Sequence, residues 1–441
     1  MITRSTVLLV LAGFLIKCSY GQYHESAHPT TQLGLITQWN EMQFVFPTTD
    51  HRQIAIYQGK YMKGASTPLD IDLDYSDTGR SRLFVTIPRF GEGVPITLGV
   101  VSTSFATNES VLHAYPSYAW QESHGANCDG ITSVFRVAID ECGRLFVLDT
   151  GRIGDQQYCP PQLLIFNLRN DKLIHRYKFP YSVLQDTSIL VTPIVNVHDP
   201  PPGKCRDTQV YIADVTTYHV IVYDMRTRRS WRTANKLFYP HPTWGTFVIA
   251  GETFDLMDGI VGMALSPKNT IGGQQMFFHP MASTNEMTVP LWVLNNRTAW
   301  ENAGYFDYYE PRSFVEIGDR GTQSAAQAMD RYGNMYFGLM DPIAIACWNI
   351  NTPYDKFHIR LVSQNDETLQ FASGVKIITN RLGEEELWVI TNRIQKVLTE
   401  TISDAEVNFR ILAIPTNQLL DHNKRCIGPS LEQKFIPLAN F

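Results

Sequence analysis

The feature that most constrains this chain is a pattern that returns six times: a short apolar strand, a polar turn, and a second apolar strand. It runs as Leu69–Thr86, Val134–Asp149, Ile194–Asp214, Gly262–His279, Gln327–Leu339 and Lys376–Thr391. The second strands centre near Phe84, Phe146, Tyr211, Phe277, Tyr336 and Trp388, a mean spacing of about 61 residues. Short β-branched and aromatic runs bounded by Gly, Pro, Asp and Asn mark strands, and long amphipathic helical patterns are scarce. A period of this size holds four strands with their loops. It predicts an all-β protein, a six-bladed β-propeller with four-stranded blades, because each unit buries its faces against its neighbours and radial closure leaves only short, protected edges. A pair of β-sandwiches is the competing architecture, but its strands have no reason to repeat at a fixed interval.

The second unit is the most legible. Its strands are expected at Ile131–Ile139 (A), Arg144–Asp149 (B), Gln162–Leu168 (C) and Lys172–Phe179 (D), with A nearest the axis. At the N-terminus, Arg4 precedes a run from Val7 to Ile16 that is apolar apart from Gly13, and Ser19-Tyr20-Gly21 follows. Residues 1–21 therefore read as a secretory signal, too short to span a membrane, and residues 22–441 as a single propeller domain of a secreted, extracellular protein. No later segment holds the roughly 18 uninterrupted apolar residues that a membrane helix needs.

Removing Cys18 with the signal leaves six of the seven cysteines, an even count that in an oxidising compartment implies three bridges. Cys142 and Cys205 both fall in A–B hairpins of adjacent units, while Cys128 and Cys159 flank the second unit's strands at the opposite end. The layout predicts Cys128–Cys159 and Cys142–Cys205, leaving Cys347 for Cys426. Asn108 and Asn296 open glycosylation sequons. The net charge is −6 and becomes two units more negative without Arg4 and Lys17. That balance argues against nucleic acid and anionic membranes, both of which reward a basic face. Self-association is not legible.

No GxSxG, HExxH, P-loop or strand-to-helix GxGxxG pattern is present, and the histidines are scattered, so neither a metal nor a cofactor is expected. In a propeller of this strand order the ends of the B strands and the starts of the A strands share one face around the axis. Arg89, Asp149, Asp214, His279 and Asn392 lie at or just after B-strand ends, Thr322 and Gln323 precede the fifth A strand, and Phe337 lies on the fifth B strand. Together they are the candidates for one ligand-binding mouth. Each also has a structural reading: Asp149 and Asp214 as turn caps, Arg89 as an ion-pair partner, His279 as a satisfied core histidine, Asn392 as a buried hydrogen-bonding group and Phe337 as packing between blades.

The run Cys128–Arg136 (CDGITSVFR), with Asp140–Gly151 (DECGRLFVLDTG) and Cys159-Pro160-Pro161, resembles the signature of the insect yellow and major royal jelly proteins. Leu83–Phe90 (LFVTIPRF), Gly262–Pro267 (GMALSP), Ala346–Asn349 (ACWN), Leu387–Arg393 (LWVITNR) and Asn408–Ile411 (NFRI) extend the resemblance from about residue 39 to residue 426. Lacking the long low-complexity tail of the pigment protein that names the family, the chain reads as a yellow paralogue. The resemblance implies a six-bladed propeller, secretion and insect origin. It also implies a role in melanin and cuticle pigmentation, possible conversion of dopachrome to dihydroxyindoles, and a small catechol or indole-amine ligand. Such a tautomerisation needs a base, a cation for the substrate carboxylate and a donor for the developing oxyanion, without a cofactor. His279 is the candidate base and Arg89 the candidate cation. Two other functions accompany the family, non-catalytic binding of biogenic amines and a structural or nutritive role.

Overall fold

Six antiparallel sheets grow outward from six inner strands, as the repeat requires. The computed structural model describes residues 31–75, 81–103, 109–303, 311–422 and Cys426. Residues 1–21 and Asn108 lie outside that set. The inner A strands are Asp70–Tyr75, Val134–Ile139, Leu190–Val197, Ile260–Leu265, Gln327–Met329 and Ala372–Thr379. Each packs against the next, and the sixth packs against the first, which closes the ring. In blade two, B, C and D run over Arg144–Asp149, Gln162–Asn167 and Lys172–Lys178, within three residues of the expected bounds.

The middle strands form because they are apolar on both faces. All six residues of Arg144–Asp149 are buried, as are Leu163 to Phe166 on the neighbouring strand, since each sheet is covered by a blade on either side. Aromatic edges fill the wedge between sheets: Phe84 meets Tyr115 at 4.9 Å between ring centroids, and Tyr115 meets Phe166 of blade two at 5.5 Å. In blades two, three, four and six the A–B ladder shifts register near the start of A. Such bulges increase local twist close to the axis.

Two features depart from the regular repeat. Blade one carries a fifth strand, Phe44–Val45, paired in parallel outside its D strand. Blade six draws its outermost strand from the other end of the chain: Gly34–Trp39 pairs antiparallel with Phe409–Pro415, joining Trp39 to Phe409. Trp39 Nε1 also donates to Ser110 O of blade one at 2.7 Å. The ring is thus latched within one sheet.

The disulfides are Cys128–Cys159, Cys142–Cys205 and Cys347–Cys426, the three expected pairs, with Cα–Cα separations of 5.3, 6.4 and 6.1 Å. Cys142–Cys205 joins the A–B hairpins of blades two and three, and Cys347–Cys426 ties the C-terminal region to the third strand of blade five. Among the described residues no helix is long and apolar enough to cross a membrane.

Candidate functional site

The eight residues expected around one mouth are all buried, and their side chains are engaged within the protein. Arg89 donates through Nε to Val94 O at 3.0 Å, through Nη2 to Gln121 O at 2.9 Å and Pro95 O at 3.3 Å, and through Nη1 to Thr132 O. Asp149 accepts from the backbone N–H of Thr132 (3.0 Å), Ser133 (2.7 Å) and Gly151 (3.1 Å), and from Gln162 Nε2 (3.0 Å). Arg89 and Asp149 therefore grip the same turn, the one that leads into the A strand of blade two. Asp214 repeats the device in blade three, accepting from Ile189 N at 3.1 Å and from the hydroxyls of Ser188 and Thr217.

Asn392 donates to Pro68 O at 2.7 Å, tying blade six to blade one. Thr322 accepts from Asp341 N at 3.2 Å, and Gln323 donates to Thr246 O at 2.9 Å and Trp244 O at 3.2 Å. Phe337 packs on Tyr354, 6.1 Å between centroids. The polar contacts among these have one physical origin. Loops that lead from a B strand or into an A strand carry backbone groups with no ladder partner, and buried side chains satisfy them.

His279 belongs to a buried network. Its Nδ1 lies 2.8 Å from Glu286 Oε2 and its Nε2 lies 3.1 Å from Ser324 O. Arg320 Nη1 lies 3.3 Å from the same Glu286 oxygen. Burial and then Arg320 push the imidazole pKa down, whereas Glu286 and the Ser324 carbonyl favour its charged form. The partners facing the ring are protein groups on both sides. Burial likewise raises the carboxyl pKa of Asp149 and Asp214, against their hydrogen bonds, and lowers Arg89 to about 10.

None of these eight residues lines the cavity on the ring axis. That cavity, about 710 Å³, is walled by all six A strands and reaches the A–B hairpins at Asp140–Gly143 and Pro201. It therefore extends toward the face opposite the B-strand ends. On the B-end face, the hairpin formed by Thr246–Ile249 and Glu252–Asp255 meets blade six, where Thr399 and Thr401 donate to Glu252 at 3.0 and 2.7 Å.

One wall of the cavity is charged. The first A strand reads Asp70-Ile71-Asp72-Leu73-Asp74-Tyr75, so its acids share one side while Ile71 and Leu73 enter the apolar core. Asp70 Oδ2 accepts from Val137 N at 3.2 Å, and Asp72 Oδ2 accepts from Ile139 N at 2.8 Å. From the other side Lys376 Nζ reaches Val137 O at 2.7 Å and Asp70 Oδ2 at 3.1 Å. Arg136 Nη1 donates to Ser373 O and lies 3.8 Å from Asp70 Oδ1. Inner strands of neighbouring blades share no backbone ladder, and these side chains complete the seam between blades six, one and two.

Burial raises the Asp72 carboxyl to about 6, opposed by Lys376 and the Ile139 N–H and reinforced by Asp70. Blades three to five offer a more apolar wall, with Ile194, Met263, Ala326 and Ala328. Three buried polar atoms on the lining residues have no hydrogen-bond partner: Asp70 Oδ1, Arg136 Nε and Gln327 Oε1. A concave site of this volume with apolar walls and a few polar groups suits a small organic molecule. The signal for its charged wall was present in the sequence as acids at alternate positions of an inner strand. Among the described residues no group of three or more His, Cys, Asp or Glu is placed to hold a metal ion. Asn296, the second sequon, is exposed and accepts from Ala299 N at 3.3 Å.

The sequence model of the family described as major royal jelly protein matches residues 132–426. Major royal jelly protein 9 of Apis mellifera is 35% identical over 403 residues, covering 89% of this chain and 89% of the relative. A dopaminechrome tautomerase of Drosophila melanogaster is 31% identical over 411 residues, covering 90% of this chain and 85% of the relative. Protein yellow of Drosophila simulans is 32% identical over 395 residues, covering 87% and 69%. With a match of this extent over a six-bladed ring, the chain belongs to the yellow/major royal jelly protein family.

Proposed function

We propose that this protein acts outside the cell in catechol-derived pigment chemistry, taking a small aminochrome into the axial cavity and isomerising it, with Asp72 as the proton acceptor. The observation that carries this reading is the position of Asp72, a carboxyl set in the wall of the axial cavity, which burial pushes up to about 6. A base whose pKa lies near the working pH combines a useful ionised fraction with real proton affinity. In such an isomerisation two protons leave the saturated ring carbons in turn and both quinone oxygens gain one, so the aminochrome becomes a dihydroxyindole with atoms and electrons balanced and no cofactor consumed. Similarity to a dopaminechrome tautomerase supports the substrate class, and three disulfides support an oxidising compartment.

Non-catalytic binding of a biogenic amine is the second reading. It is favoured by one observation: both Asp72 oxygens already accept backbone N–H groups, from Leu73 at 2.8 Å and from Ile139 at 2.8 Å. The test follows the loss of dopaminechrome colour with purified protein against buffer and heat-killed controls. The catalytic reading predicts a rate above both controls that Asp72→Asn reduces at least tenfold. No rate above the controls, together with calorimetric binding of dopamine, would replace catalysis with binding. Neither rate nor binding would remove both readings.

A further inference from the structure

Asp258 stands in the loop that leads into the A strand of blade four, on the face of the B-strand ends. Its backbone oxygen accepts from Ala282 N at 3.2 Å, and Gly259 N donates to Val215 O at 2.9 Å, so the residue is pinned between blades three and four. Asp149 and Asp214, on the same face, give their carboxyl oxygens to the turns beside them. Asp258 does not. Among the described residues its carboxyl has no hydrogen-bond or ion-pair partner, yet the residue is only half-buried and neither oxygen is enclosed. At Asp149 and Asp214 hydrogen bonds oppose the effect of burial, whereas at Asp258 burial acts alone and pushes the carboxyl up to about 6. A carboxylate drawn partly out of water with nothing to accept from costs stability unless a donor arrives from outside.

Two tyrosines border it. Tyr218 Oη donates to Met257 O at 3.3 Å, and a Cβ on Gly259 would sit 2.6 Å from Tyr218 Cδ1. The ring is therefore laid along the segment that carries Asp258. Tyr218 holds a φ of +59°, a left-handed backbone that a bulky side chain adopts only at a cost. Burial, then the charge of Asp258, then Tyr239 raise its hydroxyl pKa. Tyr239 packs on Tyr218 at 4.8 Å between ring centroids. It is 49% exposed, and Met257 is 42% exposed.

We propose that Asp258, Tyr218 and Tyr239 form a docking site for an arginine side chain of a partner protein, on the face opposite the mouth of the axial cavity. A guanidinium presents paired N–H groups to a carboxylate whose oxygens are both open, stacks on aromatic faces and is more weakly hydrated than an ammonium, so a half-buried acid flanked by rings favours it over lysine. Exposed Tyr and Met around a recessed charge match the centre of a protein interface. The net charge of −6 complements a basic partner. None of the three residues lines the axial cavity, so the inference stands apart from the aminochrome reading.

The experiment is calorimetry on the full chain at about pH 8, where Asp258 is ionised. Its probes are the peptide acetyl-Gly-Arg-Gly-amide and the citrulline counterpart, which keeps the shape and loses the charge. The arginine peptide is expected to bind about tenfold more tightly, the worth of one hydrogen-bonded charge pair. Asp258→Asn is expected to abolish that preference, and Tyr239→Ala to weaken the arginine peptide about fivefold through lost stacking. Because the Asp258 carboxyl pairs with nothing in the described chain, Asp258→Asn is also expected to keep a thermal midpoint at or above that of the wild type. A wild type with no preference for the arginine peptide, or an Asp258→Asn variant that retains the preference, overturns the inference. A clear fall in the midpoint of Asp258→Asn overturns it too, since the acid would then serve the fold.

Discussion

Asp72 and Arg89 illustrate how burial divides residues that look alike in a sequence. The native Asp72 carboxyl, at about 6, lies above its ordinary value of 3.8 because burial disfavours its charge. The folded state therefore holds the proton more tightly than the unfolded chain. This contribution to stability is complete below about pH 4 and is lost as pH rises through about 6. Between pH 4 and pH 7 the wild type should lose up to about 3 kcal/mol relative to Asp72→Asn, read from denaturant unfolding at each pH. A difference that stays flat would show that Asp72 does not titrate there. Arg89 presents four donor contacts to carbonyl oxygens, a geometry that a single ammonium cannot reproduce. Arg89→Lys is expected to cost about 3 kcal/mol or more in the same measurement, and a cost below about 1 kcal/mol would contradict the role assigned to it. The sequence marked Arg89, Asp149 and Asp214 as polar groups near the axis. It could not show that Thr132, Ser133 and Ile189 would occupy them, because those partners come from loops whose course has no periodic signature.

The A–B hairpins were readable because alternating apolar residues, a polar turn and a fixed spacing all point to the same element. The expected bounds of Gln327–Leu339 match the observed pair Gln327–Met329 and Asn334–Leu339, whereas the third hairpin begins at Leu190, four residues before the repeat suggests. The A–B ladder there shifts register between Leu190 and Thr192, and such a bulge interrupts the alternation on which the reading depends. Strand Gly34–Trp39 was not recognised as part of blade six. Its partner, Phe409–Pro415, is far away in sequence, and only closure of the ring brings them together. Packing between strands is close where Gly262 meets His279. A Cβ at Gly262 would sit 2.4 Å from His279 Cε1, so the strand must be bare for the ring to lie between Glu286 and Ser324. Gly262→Ala should lower stability by about 1–3 kcal/mol in thermal or denaturant unfolding, and an unchanged midpoint would show that the ring moves aside freely.

At the scale of the whole molecule, closure creates the site. Six inner strands, which share no backbone ladder with one another, enclose about 710 Å³, and Asp70, Asp72, Arg136 and Lys376 bridge the seams between blades six, one and two. The repeat made a ring with an axial opening legible. The strand order pointed to the B-strand ends as the ligand mouth, whereas the axial cavity reaches the A–B hairpins, since the filling of each end depends on long connections such as Thr246–Asp255 and on side-chain pairing. The structure engages the eight B-end candidates in internal contacts, and the axial cavity reaches the A–B hairpins instead. Soaking crystals of the protein with dopamine tests this assignment directly. The account predicts ligand density inside the ring, beside Asp72 and between the inner strands. Density seated instead on the opposite face, against Thr322, Gln323 and Asn392, would contradict it.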